Sequence, residues 1–216
     1  MDIKTKTKDL IESIPSEVTL VAVSKTKSIE EITQSYEAGQ RVFGENKIQE
    51  MALKWEQLPK DISWHMIGHV QTNKVKYMAH FVDLIHGVDS FKLLKEIQKQ
   101  AQKHDRIIPC LVQIRIAKEE TKFGLPSDQL NSLIEESKIL NNVKIAGLMG
   151  MATFTEDQDQ IASEFNTLKR VFDSAKEKLP NMHILSMGMS GDYELAIACG
   201  SNMIRVGSKI FGARNY

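Results

Sequence analysis

The sequence predicts a (β/α)8 barrel, an α/β fold, from three observations. Short apolar or β-branched runs recur eight times along the 216 residues, stretches of helical spacing separate them, and the length allows roughly 25 residues per strand–helix unit. Parallel neighbours need a crossover helix, so strands alternating with helices imply a parallel sheet. An open doubly wound sheet shares this pattern, but eight units of that length suit a closed barrel with trimmed loops better. No Pro/Gly/Ser-rich linker, repeat or low-complexity segment divides the chain, so one domain over residues 1–216 is expected.

Taken in order, Asp2–Ser13 reads as an extra helix over the barrel's closed end, and Val18–Val23 as the first strand. Ser28-Ile-Glu-Glu31 is a capping box whose hydroxyl and carboxylate each satisfy an orphan amide, and Gly39 ends that helix in a left-handed conformation. Strands follow at Arg41–Phe43, Ser63–Ile67, Phe81–Ile85, Ile107–Ile116 and Val143–Leu148. Thr155-Glu-Asp-Gln158 opens the clearest helix, whose apolar face is Ile161, Phe165, Leu168, Phe172, Ala175 and Leu179. Met182–Ser186 is the seventh strand, Ser190 caps a helix that Gly200 closes, and Met203–Val206 is the eighth strand.

Composition excludes several function classes. Lysine plus arginine equals aspartate plus glutamate at 28 each, so no basic field for nucleic acid is expected, and Lys4, Lys6 and Lys8 read as a solvated helix face. Cys110 and Cys199 fall in apolar segments without ligand spacing and read as reduced core residues of a cytoplasmic protein. Charges run through the first twelve residues, unlike a signal peptide, and nothing approaches the ~18 apolar residues of a membrane span. His65 and His69 lie four apart, but on a strand rather than a helix and without a zincin glutamate, so no metal site is expected. His65 is placed in the barrel lining and His69 in the loop above it. Lys118-Glu-Glu-Thr-Lys122 reads as a solvated loop, Gly188 fits no dinucleotide fingerprint, and the ten methionines read as barrel filling.

Chemistry in such a barrel gathers where strands end. Lys25 closes the first run, at a place where its amine can condense with an aldehyde or ketone. Phosphate sites often use the loops after strands seven and eight with a short helix N-terminus. Ser190 offers a hydroxyl there, and Gly207-Ser208 gives close backbone approach plus a second hydroxyl. Arg205 precedes that loop and, pointing inward, must pair with a ligand or a carboxylate. Asn46 can hydrogen-bond a phenolic or carbonyl oxygen. Together these residues describe a site for an aldehyde or ketone carrying a phosphate. A Schiff-base aldolase for a sugar phosphate satisfies the same pattern.

The segments VAVSKTK (21–27), FGENKIQE (43–50), WHMIGHVQTNK (64–74), GLMGMA (147–152), LSMGMSGDYELAI (185–197) and MIRVGSKIFGAR (203–214) closely resemble the pyridoxal phosphate homeostasis proteins. These are relatives of the alanine racemase barrel, and the resemblance runs from about Val18 to Tyr216. It implies a fold-type III barrel without a C-terminal β-domain, holding pyridoxal 5'-phosphate as an internal aldimine on Lys25. It further implies that Ser190, Gly207 and Ser208 hold the phosphate, that Arg205 faces the pyridine nitrogen, and that Asn46 and Met187 lie beside the ring. Arg115 stands where a small polar residue is usual, Lys209 where alanine is more frequent, and Ser208 where threonine is more common.

Arginine beside the ring nitrogen discourages protonation there and weakens the electron sink, which suits limited chemistry or mere holding. The resembled racemases bring a second acid–base tyrosine on their β-domain. Of Tyr36, Tyr77, Tyr193 and Tyr216, none falls at a clear strand end. The expectation is therefore a carrier with no catalytic residues and a role in intracellular homeostasis of the cofactor. A weak amino-acid racemase or lyase is the alternative. Client enzymes that depend on pyridoxal phosphate are the expected partners, and the racemase dimer interface is absent, so a monomer is expected.

Overall fold

The computed structural model describes residues 2–118 and 123–212. Eight parallel strands close into a barrel in chain order: β1 (Thr19–Val23), β2 (Val42–Glu45), β3 (Ser63–Met66), β4 (Leu84–Val88), β5 (Ile108–Gln113), β6 (Val143–Met149), β7 (Ile184–Met189) and β8 (Met203–Val206). Closure comes from β1 against β8, with Thr19 opposite Met203 and Val21 opposite Arg205. Around it lie α1 (Ile3–Ser13), α2 (Ile29–Glu37), α3 (Ile48–Gln57), α4 (Phe91–Gln102), α5 (Leu130–Ser137), α6 (Gln158–Lys178), α7 (Tyr193–Ala198) and α8 (Ser208–Phe211). Short 3-10 segments at Thr72–Tyr77 and Ser127–Gln129 complete the set.

Strand alternation divides the apolar residues between two cores. Val21, Leu84, Leu111, Ala146, Met149 and Met203 pack together along the axis. Their neighbours, among them Ala22, Ile85, Cys110, Val112, Leu148 and Ile204, pack outward under the helices. Two residues further along β4, β5, β7 and β8 the inward face carries His86, Gln113, Ser186 and Arg205, all buried. An apolar storey thus supports a polar one just beneath the strands' C-terminal ends.

The expected caps hold for α2: Ser28 accepts from the Glu31 amide while the Glu31 carboxylate takes the Ser28 amide, and Gly39 follows at φ 103°. Others are corrected. Asp157, not Thr155, caps α6 by accepting from the Gln160 amide, because Thr155 is spent on the Asp157 amide. Ser190 caps nothing; α7 begins after Asp192, and the Ser190 hydroxyl accepts instead from the Gly207 amide. The fourth strand starts at Leu84 rather than Phe81, since Phe81 stacks on Trp55 and Arg106 takes the carbonyls of Ala79 and Val82. The second starts one residue late because Arg41 is held outside by Tyr36 and Asp61. The fifth run ends at Gln113, with Ile114 in a separate bridge to Leu125. The seventh strand is Ile184–Met189, later than the apolar run suggests. Helix α1 packs against α2 and α8, beside the wall that the four-residue α8 leaves short, rather than across the closed end. Residues 119–122 of the expected solvated loop, Arg214 and Tyr216 lie outside the described residues.

Candidate functional site

A cavity of about 530 Å³ opens at the strands' C-terminal ends. That volume lies inside the ~300–1,000 Å³ range of small-molecule sites. Lys25, Asn46, Ser190, Arg205, Gly207 and Ser208 all line it. Six of the seven residues singled out in the sequence therefore share one wall. Met187 is the exception. It is fully buried in the outer core, because Ser186 points inward and the next residue along a strand must point out. A register shift between Ser186 and Met189, with Gly188 at φ 96°, then turns Met189 into the cavity in its place.

Lys25 is half-buried just past the end of β1, between the buried Ser24 and a Thr26 held at φ 66°. On the adjoining strand β8, Arg205 donates to the Ser186 hydroxyl at 2.6 Å and to the Gly150 carbonyl at 3.0 Å. A carboxylate, one of the two kinds of partner expected, makes neither of these bonds: a hydroxyl and a carbonyl do, while the Asp192 carboxylate acts on the guanidinium through its charge. Burial lowers its pKa to about 10, still well above neutrality.

Arginine can only donate, so the Ser186 hydroxyl accepts from it. Ser186 Oγ also lies 3.3 Å from His86 Nδ1, and His86 Nε2 lies 3.1 Å from His65 Nδ1, so the four polar groups form one continuous hydrogen-bonded chain. Both imidazoles are buried and neutral: burial pushes His65 down to about 3 and His86 well below its ordinary value. The chain Arg205–Ser186–His86–His65 is a polar floor under the cavity. His65 therefore lines the barrel, as expected.

At the rim, Gly207 donates its amide to Ser190 at 3.1 Å, joining the loops after β7 and β8. Ser208 is the exposed first residue of α8. The Asn46 side-chain oxygen is buried without a hydrogen-bond partner. His69 stacks on Phe123 and lies 3.6 Å from Asp89. Lys209 reaches Tyr193 and Glu194, tying α8 to α7, and neither Lys209 nor the exposed Arg115 lines the cavity. Among the described residues no cluster of three His, Cys, Asp or Glu could hold a metal ion.

Sequence reasoning missed Gln113, Met151, Met189, Phe123, Phe154 and Phe211 in this wall. Gln113 had a signal, as the first polar side chain in an otherwise apolar run, and so did His86, set inside Leu-Ile-His-Gly-Val. The aromatic residues sit in loops, where no periodicity marks them.

The model of the alanine racemase N-terminal domain family matches residues 2–215. The chain is 40% identical over 202 residues to a pyridoxal phosphate homeostasis protein of Aquifex aeolicus, covering 91% of this chain and 87% of that one. A protein of the same name from Helicobacter pylori is 41% identical over 199 residues, covering 90% and 87%. The structure of PipY from Synechococcus elongatus with PLP bound superposes with a TM-score of 0.90 at 32% identity, over 98% of this chain and 100% of that one.

Proposed function

The chain belongs to the pyridoxal phosphate homeostasis proteins of the alanine racemase N-terminal domain family, and on that premise we propose that it holds pyridoxal 5'-phosphate in the Lys25 cavity and serves the cell's balance of that cofactor. The observation that carries the reading is the buried Arg205 guanidinium, in a wall it shares with Lys25, with only neutral partners among its hydrogen bonds. A buried guanidinium whose hydrogen bonds go only to neutral groups suits an electron-rich ligand.

The residues present fit the cofactor group by group. Lys25 would take the aldehyde, Arg205 would face the ring nitrogen, and the Asn46 side-chain N–H would donate to the ring oxygen. Ser190, Gly207 and Ser208 would hold the phosphate, and Met189 would take the ring-side place first expected of Met187. When bound, pyridoxal phosphate supplies an aldehyde that an amine captures with loss of water, and a ring that draws electrons. Arg205 would stay charged and disfavour a proton on the ring nitrogen, where it would set a second positive charge beside the guanidinium. The His65–His86–Ser186 chain fixes the direction in which that guanidinium points. This arrangement binds and orients more than it activates.

A histidine in the wall favours a second reading. His69, backed by Asp89, could move a proton in the same cavity as Lys25, as a weak racemase or lyase requires. Incubating the loaded protein with each enantiomer of alanine and serine separates the two. Retained optical purity is the expected result; racemisation or breakdown that Lys25→Ala abolishes would overturn the carrier role.

We place the protein in the cytoplasm as a single-domain monomer whose partners are pyridoxal-phosphate-dependent client enzymes. Free thiols at Cys110 and Cys199 suit a reducing compartment, and a closed barrel offers no strand edge for pairing. Among the described residues no helix is long and apolar enough to cross a membrane.

A further inference from the structure

Beneath the Lys25 loop lies an ion cluster whose own side chains do not line the cavity. Lys54, on α3, is buried and donates to three acceptors: the Ser24 carbonyl at 2.8 Å, Glu45 Oε1 at 2.8 Å and Glu50 Oε1 at 2.7 Å. The same Glu50 oxygen accepts the Thr26 amide at 2.6 Å. The Ser24 hydroxyl closes the set on Glu45 at 2.6 Å. Ser24 and Thr26 are the two neighbours of Lys25. The backbone on each side of that lysine is therefore held by one Glu50–Lys54 pair, spaced i,i+4 on α3.

We propose that Glu50 and Lys54 form a clamp that aims Lys25 into the cavity, acting as positioning residues. This rests on the reading of Lys25 as the residue that carries pyridoxal phosphate. The backbone at Thr26 explains why a clamp is needed. At φ 66° a β-branched residue occupies the left-handed region that such side chains disfavour, so the turn that projects Lys25 is not one the chain adopts by itself. A charge-assisted bond from the Thr26 amide to Glu50 holds it there. An ion pair that merely pinned α3 to β2 would need Lys54 and Glu45 alone. It would not account for the bonds that reach the peptide groups on both sides of Lys25.

Glu50 is the residue to change, because its side chain is 24% exposed whereas Lys54 and Glu45 are buried together. The full-length protein is titrated with pyridoxal phosphate, following visible absorption and the adduct trapped on Lys25 by borohydride, with far-UV circular dichroism to report the fold. Glu50→Ala is expected to weaken binding by about tenfold with the fold intact. Glu50→Gln is expected to recover most of that loss, since its amide oxygen still accepts from Thr26 and Lys54. Glu50→Asp keeps the charge but shortens the reach, and is expected to bind more weakly than Glu50→Gln; if Glu50→Ala fails to fold, that ordering decides the matter. Parental affinity in Glu50→Ala, or Glu50→Gln as weak as Glu50→Ala, would overturn the clamp. A parent protein that never traps the cofactor on Lys25 would instead refute the underlying assignment, and the two failures are told apart by the parent's own titration.

Discussion

His65 and His86 show how a single residue's surroundings set both its chemistry and its cost. Burial holds each imidazole neutral, with His65 down to about 3 and His86 also far below the ordinary 6.5. Unfolding releases both to titrate normally. Because the folded values are depressed, the unfolded chain takes up protons first as the pH drops, so stability present above pH 6.5 is lost as the pH falls toward the folded values. For His65 alone this amounts to about 2 kcal/mol between pH 7 and pH 5. Thermal unfolding at the two pH values should show the parent losing stability, and His65→Gln should show a shallower loss. An equal slope in parent and variant would contradict the assignment. The candidate residues most legible in the sequence were those whose chemistry is exposed by position alone. Lys25, Arg205 and Gly207 follow directly from the ends of their strands. Met187 is absent from the cavity wall because a bulge one residue later brings Met189 there instead, and no residue pattern announces that exchange.

At the scale of elements, the site depends on where β6 and β7 touch. A side chain on Gly147 would place its Cβ 1.8 Å from the Ile184 carbonyl oxygen, a backbone atom that cannot step aside. Gly147→Ala should therefore destabilise the barrel by about 3 kcal/mol or more, measured by urea denaturation, and should displace the strand that carries Ser186. A change under ~1 kcal/mol would show that the two strands have freedom to part. Helix α6 illustrates what sequence reveals well: Ile161, Phe165, Leu168, Phe172 and Ala175 are buried on the stripe their spacing predicts, and only Leu179, half-buried at the C-cap, falls outside the helix. Its start is less legible, since Thr155 and Asp157 both present capping side chains and only the folded loop selects Asp157. The run beginning at Phe81 shows a different limit. Phe81 is used by Trp55, whereas Leu84 and Ile85 of the same run belong to the sheet, and hydrophobicity alone cannot separate the two uses.

The whole molecule is a closed cylinder with one apolar storey, one polar storey and a cavity above them. Its barrel class was readable from the number of strand-like runs and the length per unit, because parallel strands leave few other ways to connect. The polar storey was not, because it is assembled from side chains far apart in sequence, such as His86 and Ser186, which only closure brings together. Pyridoxal phosphate is expected to lock that assembly by joining the loop after β1 to the loops after β7 and β8, so loading should raise the unfolding temperature of the parent and not of Lys25→Ala. Pyridoxal phosphate titrated into the purified protein, with borohydride reduction and peptide mass analysis, tests the covalent site most directly. The expected result is saturable visible absorption and a stable adduct on the peptide containing Lys25, both lost in Lys25→Ala. An adduct on another lysine, or a spectrum unchanged in Lys25→Ala, would contradict it.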